Sequence, residues 1–287
     1  MSSWIEERRL LETLWLALVQ AGIPRYEPDR FDQRDPLFVQ RVVDLVERFV
    51  IPYHRAEIKG VDRIPSGPAL YVGNHSGGLL SLDTLLLGAA VFRHRGMEDL
   101  PFGLAHDVIV DLPIWNQILV PLGAIRARPE YAQRLLELGH KVLVYPGGDI
   151  EALRPFRERK RIKFSYRQGY IRTALHHQVP IIPVVSAGAQ ETFFVVDDLP
   201  WLARLLRADE RLRINRWPLS LSLPWGLSLG PPPPHIPLPT RIRVEILEPI
   251  FFSAGGDRDQ ERDPCYVSGC AERVENTMQR ALNRLYR

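Results

Sequence analysis

The sequence predicts an α/β fold, a central mixed but mostly parallel sheet flanked by helices, with a helical segment at the N-terminal end. Three observations carry this expectation. Short apolar runs of strand type, at residues 69–72, 141–145 and 179–185, alternate with stretches of helical period. Those runs are apolar at consecutive positions, as strands buried on both faces are. A chain of 287 residues, 45% hydrophobic and 25% charged, is long enough and apolar enough to enclose one sizeable core.

Taken in order, residues 4–21 carry Ile5, Leu10, Leu11, Leu14, Leu16, Leu18 and Val19 with charges early, an amphipathic helix that Gly22 with Pro24 stops. Its apolar stripe suits packing on the core or an interfacial position in a membrane. Asp35-Pro36 opens a second helix that ends before Pro52. Residues 53–67 read as a short extended segment and turn. Residues 69–72 form a central strand that turns polar at Gly73-Asn74-His75, and a helix follows over 79–92.

Further strands are expected at 101–106, 123–126, 141–145, 179–185 and 241–247. Helices are expected at 113–120, 130–138, 164–176 and 271–286, with a short amphipathic piece at 200–206. Pro183 implies an edge position or irregular pairing for its strand. The uncharged stretch 217–230, with Trp217 and Trp225 and four prolines after it, reads as a membrane-contact surface or as an irregular segment wrapped on the sheet. The organisation is an N-terminal helical segment (1–52), a central domain (53–252) and a C-terminal linker and helix (253–287).

Composition narrows the function classes. The net charge of +3 conceals a basic cluster: Arg154, Arg157, Arg159, Lys160, Arg161, Lys163, Arg167 and Arg172 stand against two glutamates between 151 and 172. Such a patch suits phosphate groups or a solvated face. Cys265 and Cys270 have neither zinc-knuckle nor redox spacing, so no metal site is expected and a reducing compartment is implied. No cleavable signal and no spanning stretch is recognisable, and P-loop and dinucleotide fingerprints are missing. A cytoplasmic protein, peripheral at a membrane, fits these features.

Four pieces lie at the ends of expected strands. They are Asn74-His75 with Asp83, Gly123-Ala-Ile-Arg126, Tyr145-Pro146-Gly147-Gly148-Asp149-Ile-Glu151, and Val179-Pro-Ile-Ile-Pro183. Strand ends on one edge of an α/β sheet converge, and ligands bind there. A neutral histidine can take a hydroxyl proton while the oxygen attacks a thioester carbonyl. Backbone N–H groups of glycine-rich turns can hold the oxyanion, and an arginine can hold a phosphate.

This ordered set resembles the glycerolipid acyltransferase superfamily, whose motifs are Asn-His followed by Asp, a Gly-to-Arg element, a Phe/Tyr-Pro-x-Gly loop and Val-Pro-x-x-Pro. The similarity spans roughly residues 60–252 and is closest to the diacylglycerol/monoacylglycerol acyltransferase-like branch. That branch has a Pro-Gly-Gly-x-x-Glu loop and a downstream element resembled by Gly188-Ala-Gln-Glu191. The resemblance implies His75 as general base with Asp83 as its partner, Asp149 and Glu151 being the alternatives. It also implies substrate contacts from Asn74, Arg126, Pro146, Gly147, Gly148 and Glu151. No cofactor is implied; acyl-CoA or an acyl carrier protein is the co-substrate, a lipid hydroxyl the acceptor and a membrane surface the setting, without nucleic acid.

Three positions depart from the family pattern. Asp83 lies eight positions after His75, where the common spacing of five falls on Leu80. Arg126 follows Gly123 by three positions. Gly147 stands where phosphate-acceptor enzymes of the family carry Glu, which points to a neutral acceptor such as mono- or diacylglycerol over a lysophospholipid. Two other classes compete. A serine hydrolase would use Ser76, although Asn74 occupies the glycine position of a nucleophile elbow. A lipid-surface binding protein without turnover would explain the displaced Asp83.

Overall fold

The computed structural model describes residues 22–212, 214–230, 235–252 and 261–287, together with positions 12, 15, 16 and 18–20. The helix expected at 4–21 therefore falls largely outside the described residues. Trp15 is described: it is buried and donates its indole N–H to the Asp111 carbonyl at 3.0 Å.

Among the described residues ten strands occur in chain order: β1 (Glu57–Lys59), β2 (Leu70–Gly73), β3 (Phe102–Ala105), β4 (Ala124–Arg126), β5 (Val142–Val144), β6 (Ile181–Ala187), β7 (Phe194–Asp197), β8 (Leu219–Ser222), β9 (Gly226–Leu229) and β10 (Arg243–Ile246). Seven build the main sheet in the order β1-β10-β6-β2-β5-β3-β4. All its pairings are parallel except β10 against β6. The sheet is mixed and mostly parallel, and all seven strands fall where the sequence places extended segments.

Alternation across the pleat explains the two-sided core. Leu70, Val72, Val142, Ile181 and Val185 face one side, where α3 (Pro129–Glu137), α4 (Gly169–His177) and α5 (Pro264–Leu285) cover them. Tyr71, Leu143, Ile182, Val184, Val244 and Ile246 face the other, under α1 (Pro36–Leu45) and α2 (Leu82–Asp99). Asp35 caps α1 by accepting from the N–H groups of Leu37 and Phe38, and Asp263 caps α5 at Cys265. Among the described residues no helix is long and apolar enough to cross a membrane.

The structure corrects five expectations. The second helix, expected to end before Pro52, continues in helical turns through Pro52 to His54. Pro183 lies in the sheet interior, between β10 and β2. Its carbonyl accepts from Leu247 N–H just where β10 ends, so the missing proline donor faces a strand that is already departing. The helix expected from 79 begins only at Leu82, because Gly77, Gly78 and Ser81 all take positive φ. The helix expected from 164 begins at Gly169, after Ser165 and Tyr166 make a left-handed turn. The stretch 217–230 is regular: β8 and β9 form an antiparallel hairpin that joins β7 in a second, three-stranded sheet.

Candidate active site

The C-terminal ends of β2, β5 and β6 sit side by side, and the loops that leave them interlock. Asn74 directly follows β2 and is buried. Its side chain donates to the Ser186 carbonyl at 2.9 Å and accepts from Ser186 N–H at 2.8 Å, pinning the end of β2 to β6. Asn74 thus spends its amide on the scaffold, and His75 leaves the sheet in a fixed direction.

His75 is held by its backbone. Its N–H donates to Glu151 Oε2 at 2.8 Å, and its carbonyl accepts from the Arg154 guanidinium at 3.2 Å. Glu151 and Arg154 are both fully buried and pair at 3.3 Å. Glu151 also accepts from Lys163 N–H at 3.0 Å. The imidazole stacks on the Tyr145 ring, with centroids 4.6 Å apart and planes 21° apart, and its Nδ1 is buried without a hydrogen-bond partner. Burial, and then the nearby Arg154 charge, push the imidazole down to about 4 against the opposing pull of Asp149. His75 is therefore neutral at physiological pH, the form a general base requires.

Asp83 comes to the same loop but does not hydrogen-bond the imidazole. One oxygen accepts from Ser76 N–H at 3.2 Å and Ser76 O–H at 3.4 Å, and the other accepts from Thr84 N–H at 2.9 Å. Burial raises its carboxyl to about 7. The neighbouring Thr84 hydroxyl lies 2.6 Å from the Tyr145 hydroxyl, so the residue beside Asp83 fixes the ring that carries His75.

The glycines of the third motif make close packing possible. A Cβ at Gly147 would stand 2.4 Å from Glu151 Cβ and 2.7 Å from the Lys163 carbonyl. A glutamate at 147 is thus incompatible with Glu151 in its buried place. Gly148 takes φ +51°, and its N–H is engaged by the Tyr145 carbonyl. Gly77 N–H is likewise engaged, by Gln190 at 3.3 Å, and Gln190 in turn donates to the Arg154 carbonyl. The carbonyls of Pro146 and Gly147 accept from Arg167, which also pairs with Asp149 at 3.1 Å.

Arg126 is not brought to this cluster. It ends β4, three strands from β2, and its guanidinium is filled by carboxylates: two bonds of 2.9 Å to Asp111 and one of 2.9 Å to Asp29. A cavity of about 200 Å³ opens at the end of β6, lined by Gly188, Glu191, Arg241 and Tyr286 among others, and His75 is not among its lining residues.

Sequence reasoning took Glu151 as a substrate contact or an alternative partner of His75 and missed that with Arg154 it grips both backbone polar groups of His75. The i, i+3 spacing of two opposite charges after a Gly-Gly turn was the available signal. Tyr145 as a stacking platform and Gln190 as a loop tie were also missed.

Comparison with known proteins follows the same residues. The Acyltransferase family matches residues 55–187, from β1 to the end of β6, and so encloses the whole cluster. An uncharacterized protein of Mycobacterium tuberculosis is 32% identical over 91% of this chain and 70% of its own. The bovine "DGAT1/2-independent enzyme synthesizing storage lipids" is 30% identical over 78% of this chain and 66% of its own. A crystal structure of the 1-acyl-sn-glycerophosphate acyltransferase PlsC from Thermotoga maritima shares the fold, with a TM-score of 0.53 at 17% identity, over 86% of this chain and 79% of that one. With the motif histidine, the Pro-Gly-Gly loop and the buried glutamate meeting at one sheet edge within that matched span, the chain belongs to the glycerolipid acyltransferase superfamily and is an acyltransferase of the glycerolipid type.

Proposed function

We propose that the protein transfers a fatty acyl group from acyl-CoA, or from an acyl carrier protein, to the hydroxyl of a mono- or diacylglycerol or similar neutral lipid. In this reading it works as a peripheral protein on the cytoplasmic face of a membrane. The observation that carries the proposal is the state of His75: backbone clamped on both sides, ring stacked on Tyr145, imidazole neutral and Nδ1 without a partner.

In the proposed reaction His75 takes the acceptor hydroxyl proton as that oxygen bonds to the thioester carbon. The tetrahedral oxyanion then collapses, the C–S bond breaks, and the imidazolium returns the proton to the departing thiolate. Asp149 lies on the side of the balance that favours the transient positive charge. Gly77 and Gly148 N–H groups are already engaged, so the oxyanion draws on other donors of the loop.

Two features favour a neutral acceptor. Position 147 cannot carry the glutamate of the phosphate-acceptor pattern beside Glu151, and the guanidinium of Arg126 is saturated. A lysophosphatidate acceptor is the second reading, favoured by the fold shared with PlsC and by exposed basic side chains such as Arg157 and Lys160. The hydrolase reading loses ground because the Ser76 hydroxyl donates to Asp83.

The test is an acyl-transfer assay with mono- and diacylglycerol, lysophosphatidate and long-chain alcohols, comparing wild type with His75→Ala. Turnover with one acceptor class is expected to fall by about 10²–10⁴-fold in the variant. Equal turnover would remove His75 as base. Thioester cleavage that needs Ser76 and ignores acceptors would establish the hydrolase, and no turnover at all would leave a binding protein.

A further inference from the structure

The three-stranded sheet is folded inside out. In β8 the serines point inward, with Ser220 at 0% and Ser222 at 6% exposure, while Leu221 and Leu223 stand 51% and 53% exposed. In β9 Leu227 and Leu229 are exposed as well, and in β7 Phe194 and Val196 face out while Val195 is fully buried. The register puts Phe194, Leu221 and Leu227 side by side in one row across all three strands.

Neither side of this arrangement favours an isolated soluble molecule. Burying hydroxyls costs free energy unless they are bonded, and exposed leucines gain nothing from water. The Ser220 and Ser228 hydroxyls answer one another at 3.0 Å, yet Ser222 Oγ is buried without a partner among the described residues. A strand pair that alternates Leu and Ser has the opposite, cheaper orientation available in register by one residue. The outward leucines therefore serve a contact outside the chain.

What they contact follows from their surroundings. No Asp, Glu, Lys or Arg occurs from Trp217 to Pro239, so the face itself is uncharged. Its flank is basic: Phe156 packs on Phe194 at 4.6 Å, and Arg157 reaches the Val196 carbonyl and Asp197. Exposed Arg157 thus borders the apolar row, and Lys160 and Arg161, also exposed, follow it within four residues of the chain. Trp201 and Leu205, on the short helix Pro200–Leu205, are exposed too. An apolar, tryptophan-bearing face beside a basic rim complements an anionic phospholipid surface.

The same sheet adjoins the candidate active site. The Phe193 ring, one residue before β7, occupies the space a Cβ at Gly78 would need, 2.7 Å away. Phe193 is buried, so it is the inner side of the sheet, opposite the apolar face, that meets the loop of His75.

We propose that the outer face of β7, β8 and β9 is the surface on which the protein docks to an anionic phospholipid bilayer, with the inner side of the same sheet packed against the His75 loop. This rests on the reading of a lipid acceptor, but its readout is binding and not turnover. The experiment is co-sedimentation of the full chain with vesicles of phosphatidylcholine and phosphatidylglycerol, and with phosphatidylcholine alone. Wild type is expected to bind the mixed vesicles, and Leu221→Gln/Leu227→Gln to bind about tenfold more weakly or worse with an unchanged thermal melt. Arg157→Gln/Lys160→Gln/Arg161→Gln is expected to lose affinity for the mixed vesicles only, and His75→Ala to bind as wild type.

Wild type that stays in the supernatant would overturn the assignment, as would a double leucine variant that binds normally. A leucine variant that only turns a dimer into a monomer, with vesicle binding intact, would assign the face to a second copy of the chain and overturn it too. Vesicle binding by a protein without acyl transfer keeps the docking surface and removes the acyltransferase reading; turnover without binding does the reverse.

Discussion

His75 and Arg126 occupy matching places in the sheet and are treated in opposite ways. Each sits at the C-terminal end of a parallel strand on the same edge, three strand spacings or roughly 14 Å apart. Arg126 is anchored through its side chain, with Asp111 and Asp29 taking its guanidinium nitrogens. His75 is anchored through its backbone, by Glu151 and Arg154, while the imidazole keeps a buried nitrogen unbonded. A side chain with every nitrogen bonded to a carboxylate inside the protein is part of the scaffold. One that is fixed at the main chain and left open at the ring is poised for a reactant.

The largest effect expected from breaking this contrast is at Arg154. Arg154→Met leaves the Glu151 carboxylate buried with no counter-charge, which costs about 3–5 kcal/mol, read as a fall in denaturation midpoint. It also frees the His75 carbonyl, so turnover is expected to fall well beyond the loss of folded protein. Glu151→Gln with Arg154→Met should recover much of the stability, because a glutamine oxygen still accepts from His75 N–H and no bare charge remains. A single variant as stable and active as wild type would show that the pair does not hold His75.

The Arg126 side of the contrast predicts a smaller and purely structural loss. Arg126→Ala is expected to cost about 1–3 kcal/mol, since its carboxylate partners are partly exposed and screened. The ratio of kcat/KM for lysophosphatidate and for monoacylglycerol should stay within about twofold of wild type, the mark of a residue outside the acceptor site. A selective tenfold loss on the phosphate-bearing acceptor would return Arg126 to substrate binding, as the family pattern first suggested, and would erase the contrast with His75.

How far the chain could be read in advance follows the same division. The central strands β2, β5 and β6 are legible because burial on both faces writes apolar runs such as Val142–Val144, and the outer strands β1 and β10 by a partial alternation. His75 and Glu151 are legible because chemistry at strand ends repeats an ordered motif. Arg154 is legible only through its i, i+3 spacing from Glu151: within a basic cluster its residue type says nothing of burial, which follows from its pairing with Glu151 and the His75 carbonyl. The strand β8 is not legible as part of a sheet. Its Leu-Ser alternation has the right period, but outward leucines invert the polarity by which a half-buried strand is recognised. Where sequence patterns fail in this molecule, a partner outside the element sets the burial.

The finest test concerns pH, and it separates the two titrating groups of the His75 loop. An unfolded histidine binds its proton near 6.5, whereas His75 in the fold does so only near 4. Its contribution to stability is therefore complete above about 6.5 and lost as pH falls towards 4. Asp83 runs the other way. Its carboxyl ionises near 3.9 when unfolded and near 7 in the fold, so its contribution is present below about 4 and lost as pH rises to 7. The two slopes oppose each other across one window, and the wild-type melting temperature should change little over it. Asp83→Asn removes only the second slope. Whatever constant offset comes from setting an amide N–H against the Ser76 or Thr84 donors, the variant should gain on wild type as pH rises from 4 to 7. Parallel melting curves across that range would mean that Asp83 is ionised throughout. It would then stand beside His75 as a permanent charge, and the imidazolium formed during turnover would have a fixed counter-ion in the residue that the sequence motif names.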